Sequence, residues 1–293
     1  MSGVTELVEQ IRARLSAQVE ELATRTEGAR EGSDPEHVHQ MRVAVRRARA
    51  ALKAGMPLPE LDAELKWLGG SLGAVRDLDV QLDSLRARAI GFDEDELAAV
   101  ETLLHGLVVQ RRAARQTMRR VLRSKRYRKL LEAVRAAAAS GTVVAPPDSA
   151  GDEPPALVSV VRKPHRKLMR AAEALGENPP DDDLHELRIH GKRLRYAAEM
   201  AEPAARKRIK VLVAATKEFQ DVLGDHQDAV IAEDTIRALL TDLGDGVPVT
   251  VVFVAGRLVE RERARKAQCR TQWRAVLNEV DLAAQSLFER SPE

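Results

Sequence analysis

Apolar residues recur every three to four positions over most of this chain, and no convincing run of alternating apolar and polar residues interrupts them. The spacing predicts helical blocks over 3–29, 35–55, 60–89 and 94–139. They are separated by "EGSDP", "GMPLP" and "GFDED", each carrying the Gly or Pro that ends a helix. The stretch "SGTVVAPPDSAGDEPPA" at 140–156 is rich in Pro, Gly and acids and reads as an exposed linker. Beyond it the same spacing predicts helices over 157–175, 182–202, 204–243 and 249–289. The expectation is an all-α protein with a first four-helix half at 1–139, a linker at 140–156 and a second four-helix half at 157–293.

The two halves also match in register, which is the mark of an internal duplication rather than of similar composition. His39, Arg42, Arg46, Arg47 and Arg49 map onto His185, Arg188, Lys192, Arg193 and Arg195 at a constant offset of 146. The same offset carries Arg111, Arg115, Arg119 and Tyr127 onto Arg257, Arg261, Arg265 and Trp273. Between these blocks the offset drifts to 151, where "LGAVRD" at 72–77 pairs with "LGDHQD" at 223–228, as a difference in loop length would produce. By this correspondence "VTVVFVAGRLVE" is helix in spite of its β-branched residues, because its counterpart "TLLHGLVVQRR" is.

Composition narrows the picture. Aromatics are 3% of residues, so the core has to be built from Leu, Val and Ala. Charged residues reach 31% but cancel to a net +2, so a functional positive field has to come from clustering. A single cysteine, Cys269, excludes an internal disulfide, and the cytoplasm is the favoured compartment. No signal-peptide pattern opens the chain. The most apolar stretch, "VPVTVVFVAG", has about half the length needed to span a bilayer, so no membrane partner is expected.

The clustering is found in the duplicated blocks. At 100° per residue, His39, Arg42, Arg46, Arg49 and Lys53 share a helical sector of roughly 80°, and Met41, Val45, Ala48 and Leu52 occupy the neighbouring buried sector. In the second copy His185, Arg188, Lys192 and Arg195 repeat the stripe and Leu187, Leu194 and Ala198 repeat the core face. Glu199 stands where Lys53 does. Such like charges destabilise a helix by on the order of a few tenths of a kcal/mol per pair. A stripe kept for solubility would interleave acids, and 45 are available. The expected compensation is an extended polyanion laid along the stripe, with arginine supplying planar bidentate donors and histidine a further one. A second basic series, Arg111, Arg112, Arg115, Arg119 and Arg257, Arg261, Arg265, points the same way, diluted in the second copy by Glu260 and Glu262. Lys163, His165, Arg166 and Lys167 form a smaller cluster with no basic counterpart in the first half.

Other chemistry is thinly represented. Asp34-Pro35-Glu36 and Asp181, Asp182 and Asp183 read as caps of the two stripe helices. Asp77, Asp79, Asp225 and Asp228 read as partners that hold the arginines in place, with a catalytic site as the alternative. Tyr127 and Trp273 read as core anchors. No Gly-rich phosphate loop, HExxH, CxxC or Ser-His-Asp set is apparent, so neither a metal nor another cofactor is expected.

The His-x-x-Arg-Val-x-x-Arg-Arg-x-Arg block at 39–49, its copy at 185–195, the Leu-Gly-x-x-x-Asp blocks and the all-helical duplication together resemble the CHAD family, the conserved histidine α-helical domain. The resemblance implies two four-helix bundles related by a pseudo-twofold axis, with basic helices lining a central groove or pore. It also implies binding of inorganic polyphosphate, without catalysis, by a protein associated with polyphosphate granules and their proteins or enzymes. Carried onto this sequence, the contacts fall on His39, Arg42, Arg46, Arg49, Lys53, His185, Arg188, Lys192 and Arg195, followed by Arg111, Arg115, Arg119, Arg257 and Arg261. Some members of the family carry a CYTH domain. No Glu-x-Glu-x-Lys start is present here, so a standalone module is expected. Two other readings stay open. One is nucleic-acid binding along the same stripes, against which the scarcity of aromatics counts. The other is metal-assisted phosphate cleavage using His39 or His185 with Asp77 or Asp228.

Overall fold

The structure is a computed structural model that describes residues 2–32, 34–55, 58–140, 159–201 and 206–288. Within these residues every regular element is an α-helix: α1 Ser2–Glu31, α2 Pro35–Gly55, α3 Pro59–Arg88, α4 Glu94–Arg123, α5 Lys125–Ser140, α6 Ser159–Glu173, α7 Asp181–Ala201, α8 Arg206–Asp242 and α9 Val249–Phe288. The expected linker falls almost wholly outside the described residues.

The chain divides into two compact units, residues 1–92 with 104–150 and residues 93–103 with 151–293. In the first, α1 packs on α2, α2 on α3, α3 on α5 and α5 back on α1, closing a ring of four helices. Its core is a column of leucines with Met41 and Tyr127, joined by Met118 and Leu122 of α4. In the second, α6, α7, α8 and α9 close a ring in the same way around Leu168, Leu187, Leu194, Phe219 and Trp273. The buried faces are those the periodicity predicts: Met41, Val45, Ala48 and Leu52 on α2, and Leu187, Leu194 and Ala198 on α7, are each at most 3% exposed. Tyr127 and Trp273 are buried anchors. The Tyr127 hydroxyl lies 2.6 Å from Thr26 Oγ1, and burial raises its pKa.

Local chemistry sets the ends. Asp34 caps α2 by accepting the Glu36 amide at 2.8 Å, with Pro35 at the first helical position. Asp93 and Glu96 exchange hydrogen bonds as a capping box at the start of α4. Gly32, at φ +74°, ends α1 in the left-handed conformation that glycine takes at no steric cost.

One predicted block differs. The expected helix over 94–139 is broken at Ser124 into α4 and α5, whereas α9, its counterpart, runs unbroken. Ser124 accepts the Tyr127 amide at 3.1 Å and donates to the Val121 carbonyl at 2.7 Å, which stops one helix and caps the next. Arg270 stands at the matching position in the second half and cannot cap in this way.

Helices approach closely at glycines. A methyl group added at Gly191 of α7 would sit 2.6 Å from Cε1 and 2.8 Å from Cδ1 of Phe219 on α8. This contact sets how near α7 lies to α8, and so how near its basic flank comes to α8.

Candidate functional site

In the first unit the stripe of α2 lies along its flank toward α3. A Cβ at Gly73 of α3 would come within 3.0 Å of Arg42 Nη1, so the missing side chain leaves room for the guanidinium to lie across the helix. One turn further on, Asp77 pairs with Arg42 at 2.7 Å. The Leu-Gly-x-x-x-Asp block therefore acts as a cradle: glycine is its floor and the aspartate its hold. Both partners of this pair are well exposed, 43% and 70%, and such pairs contribute about 0–1 kcal/mol. An incoming phosphate can replace Asp77 at little cost. Arg49 is held more firmly: Asp62 grips it bidentately at 2.7 and 3.1 Å, the hydrogen bond raises the Arg49 pKa, and each partner is under one-third exposed. His39 is half-buried on the same flank and Arg46 is exposed. The Lys53 side chain lies outside the described residues.

The second unit repeats the arrangement with two changes. Gly224 of α8 lies under Arg188 more loosely, since an added Cβ would meet Nε and Nη2 at an ordinary contact distance of 3.7 and 3.8 Å. Asp228 occupies the position of Asp77, but no carboxylate among the described residues pairs with Arg188. Arg188 Nε is buried without a hydrogen-bond partner, and so is Nδ1 of His185 one turn earlier. Nε of Arg30, Arg115 and Arg195 is buried in the same way, but each of those guanidiniums has a partner, whereas Arg188 has none among the described residues, so its charge is left for an outside acceptor. Lys192 is exposed, and Arg195 pairs with Glu199 at 3.2 Å. Tyr196, 48% exposed, lies beside Lys192 and Arg195, with their charges 5.9 and 5.6 Å from its ring centre.

The second basic series is tied more deeply into the fold. Arg111 pairs with Asp79, a carboxylate only 2% exposed, and Arg115 reaches the same oxygen at 3.6 Å. Arg115 also donates to the Gly32 carbonyl at 3.1 Å, and Arg119 to the Arg30 and Glu31 carbonyls at 2.7 and 2.8 Å. These arginines close the C-terminus of α1, where helix carbonyls lack partners. Burial lowers the Arg115 pKa, and the neighbouring Arg111 adds to that shift. In the second unit Arg257 pairs with Glu96, and Arg265 with Asp225 at 2.8 Å and Glu262 at 3.1 Å. Arg261 is half-buried with partners of its own.

The structure thus brings together His39, Arg42, Arg46 and Arg49 on one flank, and His185, Arg188, Lys192 and Arg195 on another. It gives Arg111, Arg115 and Arg119 internal partners. Sequence spacing missed Asp62, and it missed the capping by Arg115 and Arg119, which spans more than 80 residues and leaves no local signal. The cradle glycines had a signal, since Gly73 and Gly224 occur in matching blocks. Among the described residues no three His, Cys, Asp or Glu side chains gather as a metal would need, and no helix is long and apolar enough to cross a membrane.

Comparison with known proteins places these features in a family. The sequence matches the family model of the CHAD domain over residues 13–237. Two uncharacterized proteins of Mycobacterium tuberculosis are each 31% identical over 269 residues, covering 84% of this chain. The chain spans about half the length of these relatives, 48%. The crystal structure of the CHAD domain from the plant Ricinus communis aligns with TM-score 0.61 at 29% identity, covering 93% of this chain and 91% of that one. PptA from Streptomyces chartreusis shares the fold, with TM-score 0.60 at 20% identity over 92% of this chain and 99% of its own.

Proposed function

The chain belongs to the CHAD family, and from that premise we propose that it binds inorganic polyphosphate along the basic flanks of α2 and α7, without catalysis of its own. The observation that carries the reading is Arg188, a half-buried guanidinium cradled on Gly224 with no counter-ion among the described residues. A phosphate oxygen supplies the acceptor it lacks, through a charge-assisted bond about twice as strong as a neutral one. His185, Lys192 and Arg195 extend the contact along α7. In the first unit Arg42, His39 and Arg46 do the same once phosphate displaces Asp77, with Arg49 and Lys53 further along α2. Arg111, Arg115, Arg119, Arg257 and Arg261 contribute through whichever N–H groups their internal pairs leave over. The proposed setting is cytoplasmic, on polyphosphate granules, with granule proteins or enzymes as neighbours.

Arg42→Glu combined with Arg188→Glu tests the site. Binding of long-chain polyphosphate should be lost while helical content stays unchanged, because neither side chain carries the core. Retained affinity would remove both cradles from the account. One observation favours a second reading: exposed Tyr196 beside Lys192 and Arg195 offers a stacking surface for single-stranded nucleic acid. Tyr196→Ala should then weaken RNA binding and leave polyphosphate binding unchanged.

A further inference from the structure

The cluster on α6 is a second cationic surface, separate from the cradles. At 100° per residue Arg162, Lys163, Arg166, Lys167 and Arg170 fall within roughly 140° of one another, opposite the buried Val161, Leu168 and Ala172. All five are exposed, and Arg162 stacks on the Phe288 ring at 4.6 Å. Among the described residues no carboxylate lies in ion-pair range of Lys163, Arg166, Lys167 or Arg170, although Glu173 and Glu186 share the surface. His165 points the other way, to Asp281 at 2.7 Å, so it anchors the helix rather than joining the patch.

The fold itself does not require this charge. At the matching positions of α1 stand Glu20 and Glu21, which pair with Arg135 at 3.3 Å and Arg25 at 2.8 Å on the surface of the first bundle. Nor does the patch end at α6. Burial lowers the pKa of His190 on α7, and the charges of Arg193 and Lys167 push it the same way, which puts all three on one surface. The exposed arc of α7 then runs from His190 and Arg193 past Tyr196 to Lys192 and the Arg188 cradle. Cations therefore follow one another from α7 onto α6 within a single unit.

We infer that α6 is the second arm of the polyanion track: a long polyphosphate chain seated on Arg188 and Lys192 crosses α7 by Arg193 and continues along Lys167, Arg166 and Lys163. This rests on the reading of the α7 flank as a polyphosphate site and assigns that site its selectivity for long chains. A short oligophosphate fills the cradle alone. A long one adds the α6 contacts, each placed at high effective concentration by the first.

The experiment compares tripolyphosphate with long-chain polyphosphate on wild type and on Lys163→Glu/Arg166→Glu/Lys167→Glu. The milder Lys163→Gln/Lys167→Gln serves if the triple variant loses helicity. The variant should bind tripolyphosphate as wild type does and bind the long chain at least about tenfold more weakly. The slope of log affinity against log salt should shrink by about two to three, at about 0.7–0.9 for each of the three phosphates that the variant no longer neutralises. Unchanged long-chain affinity and slope would overturn the inference while leaving the α7 site intact. A wild type that binds neither probe would bring down both readings together. Loss of RNA binding with polyphosphate binding retained would also overturn it and make α6 a nucleic-acid surface.

Discussion

Gly191→Ala should destabilise the second unit, against the usual effect of replacing a helical glycine. Alanine in place of glycine inside a helix gains about 1 kcal/mol from propensity. Gly70, in the middle of α3 with nothing within 4 Å of an added Cβ, should show that full gain. At Gly191 the new methyl would stand 2.6 and 2.8 Å from two Phe219 ring carbons, whereas carbon atoms rest at about 3.5–4.0 Å. The ring has to retreat by about 1 Å, and Phe219 is fully buried in a close-packed core. Such overpacking costs about 1–3 kcal/mol, so the net effect is a loss of up to about 2 kcal/mol. Denaturant unfolding of the two single variants should give shifts of opposite sign. Because the methyl also pushes α7 from α8, Arg188 moves off Gly224 and polyphosphate affinity falls with stability. Equal stabilisation by both substitutions would refute the steric argument and the close approach of α7 to α8 on which the cradle depends.

Asp79→Asn should cost about 3 kcal/mol in unfolding free energy, the low end for breaking a buried pair, because Arg111 and Arg115 keep 30% and 20% side-chain exposure. Ser124→Ala should cost about 1 kcal/mol through the lost cap of α5, again by equilibrium unfolding. Stability should fall with acid from about pH 6.5 downward. Burial lowers the pKa of His226, helped by Arg270 and Lys266 against Asp181, and burial likewise lowers that of His190. The unfolded chain then takes up these protons first, so their contribution is complete above the unfolded pKa and is lost toward the folded one. His226→Gln should flatten that slope in unfolding curves measured between about pH 5 and 7.

The helices and their buried faces were legible because a 3.6-residue period leaves a local mark, and the stripes because charge repeats in register at one offset. Asp34 declared its cap by sitting before Pro35. Other features left less trace. The break at Ser124 depends on one hydroxyl inside an otherwise continuous pattern, and Arg270 in the other half shows how little distinguishes a cap from a helix. The difference between Arg42, paired with Asp77, and Arg188, unpaired above Gly224, is a matter of side-chain placement that two nearly identical blocks do not reveal. Arg115 and Arg119 read as part of a basic stripe until the carbonyls of Arg30, Glu31 and Gly32, far away in sequence, are found beside them.

Above all, the cradled arginines should read polyphosphate rather than negative charge in general. Titration of the protein with long-chain polyphosphate at two salt concentrations, with RNA of matched charge as competitor, tests this most directly. The account predicts tight binding that weakens with salt and that RNA fails to displace. Equal displacement by RNA would contradict it, and the flanks of α2 and α7 would then be general polyanion surfaces on a CHAD fold.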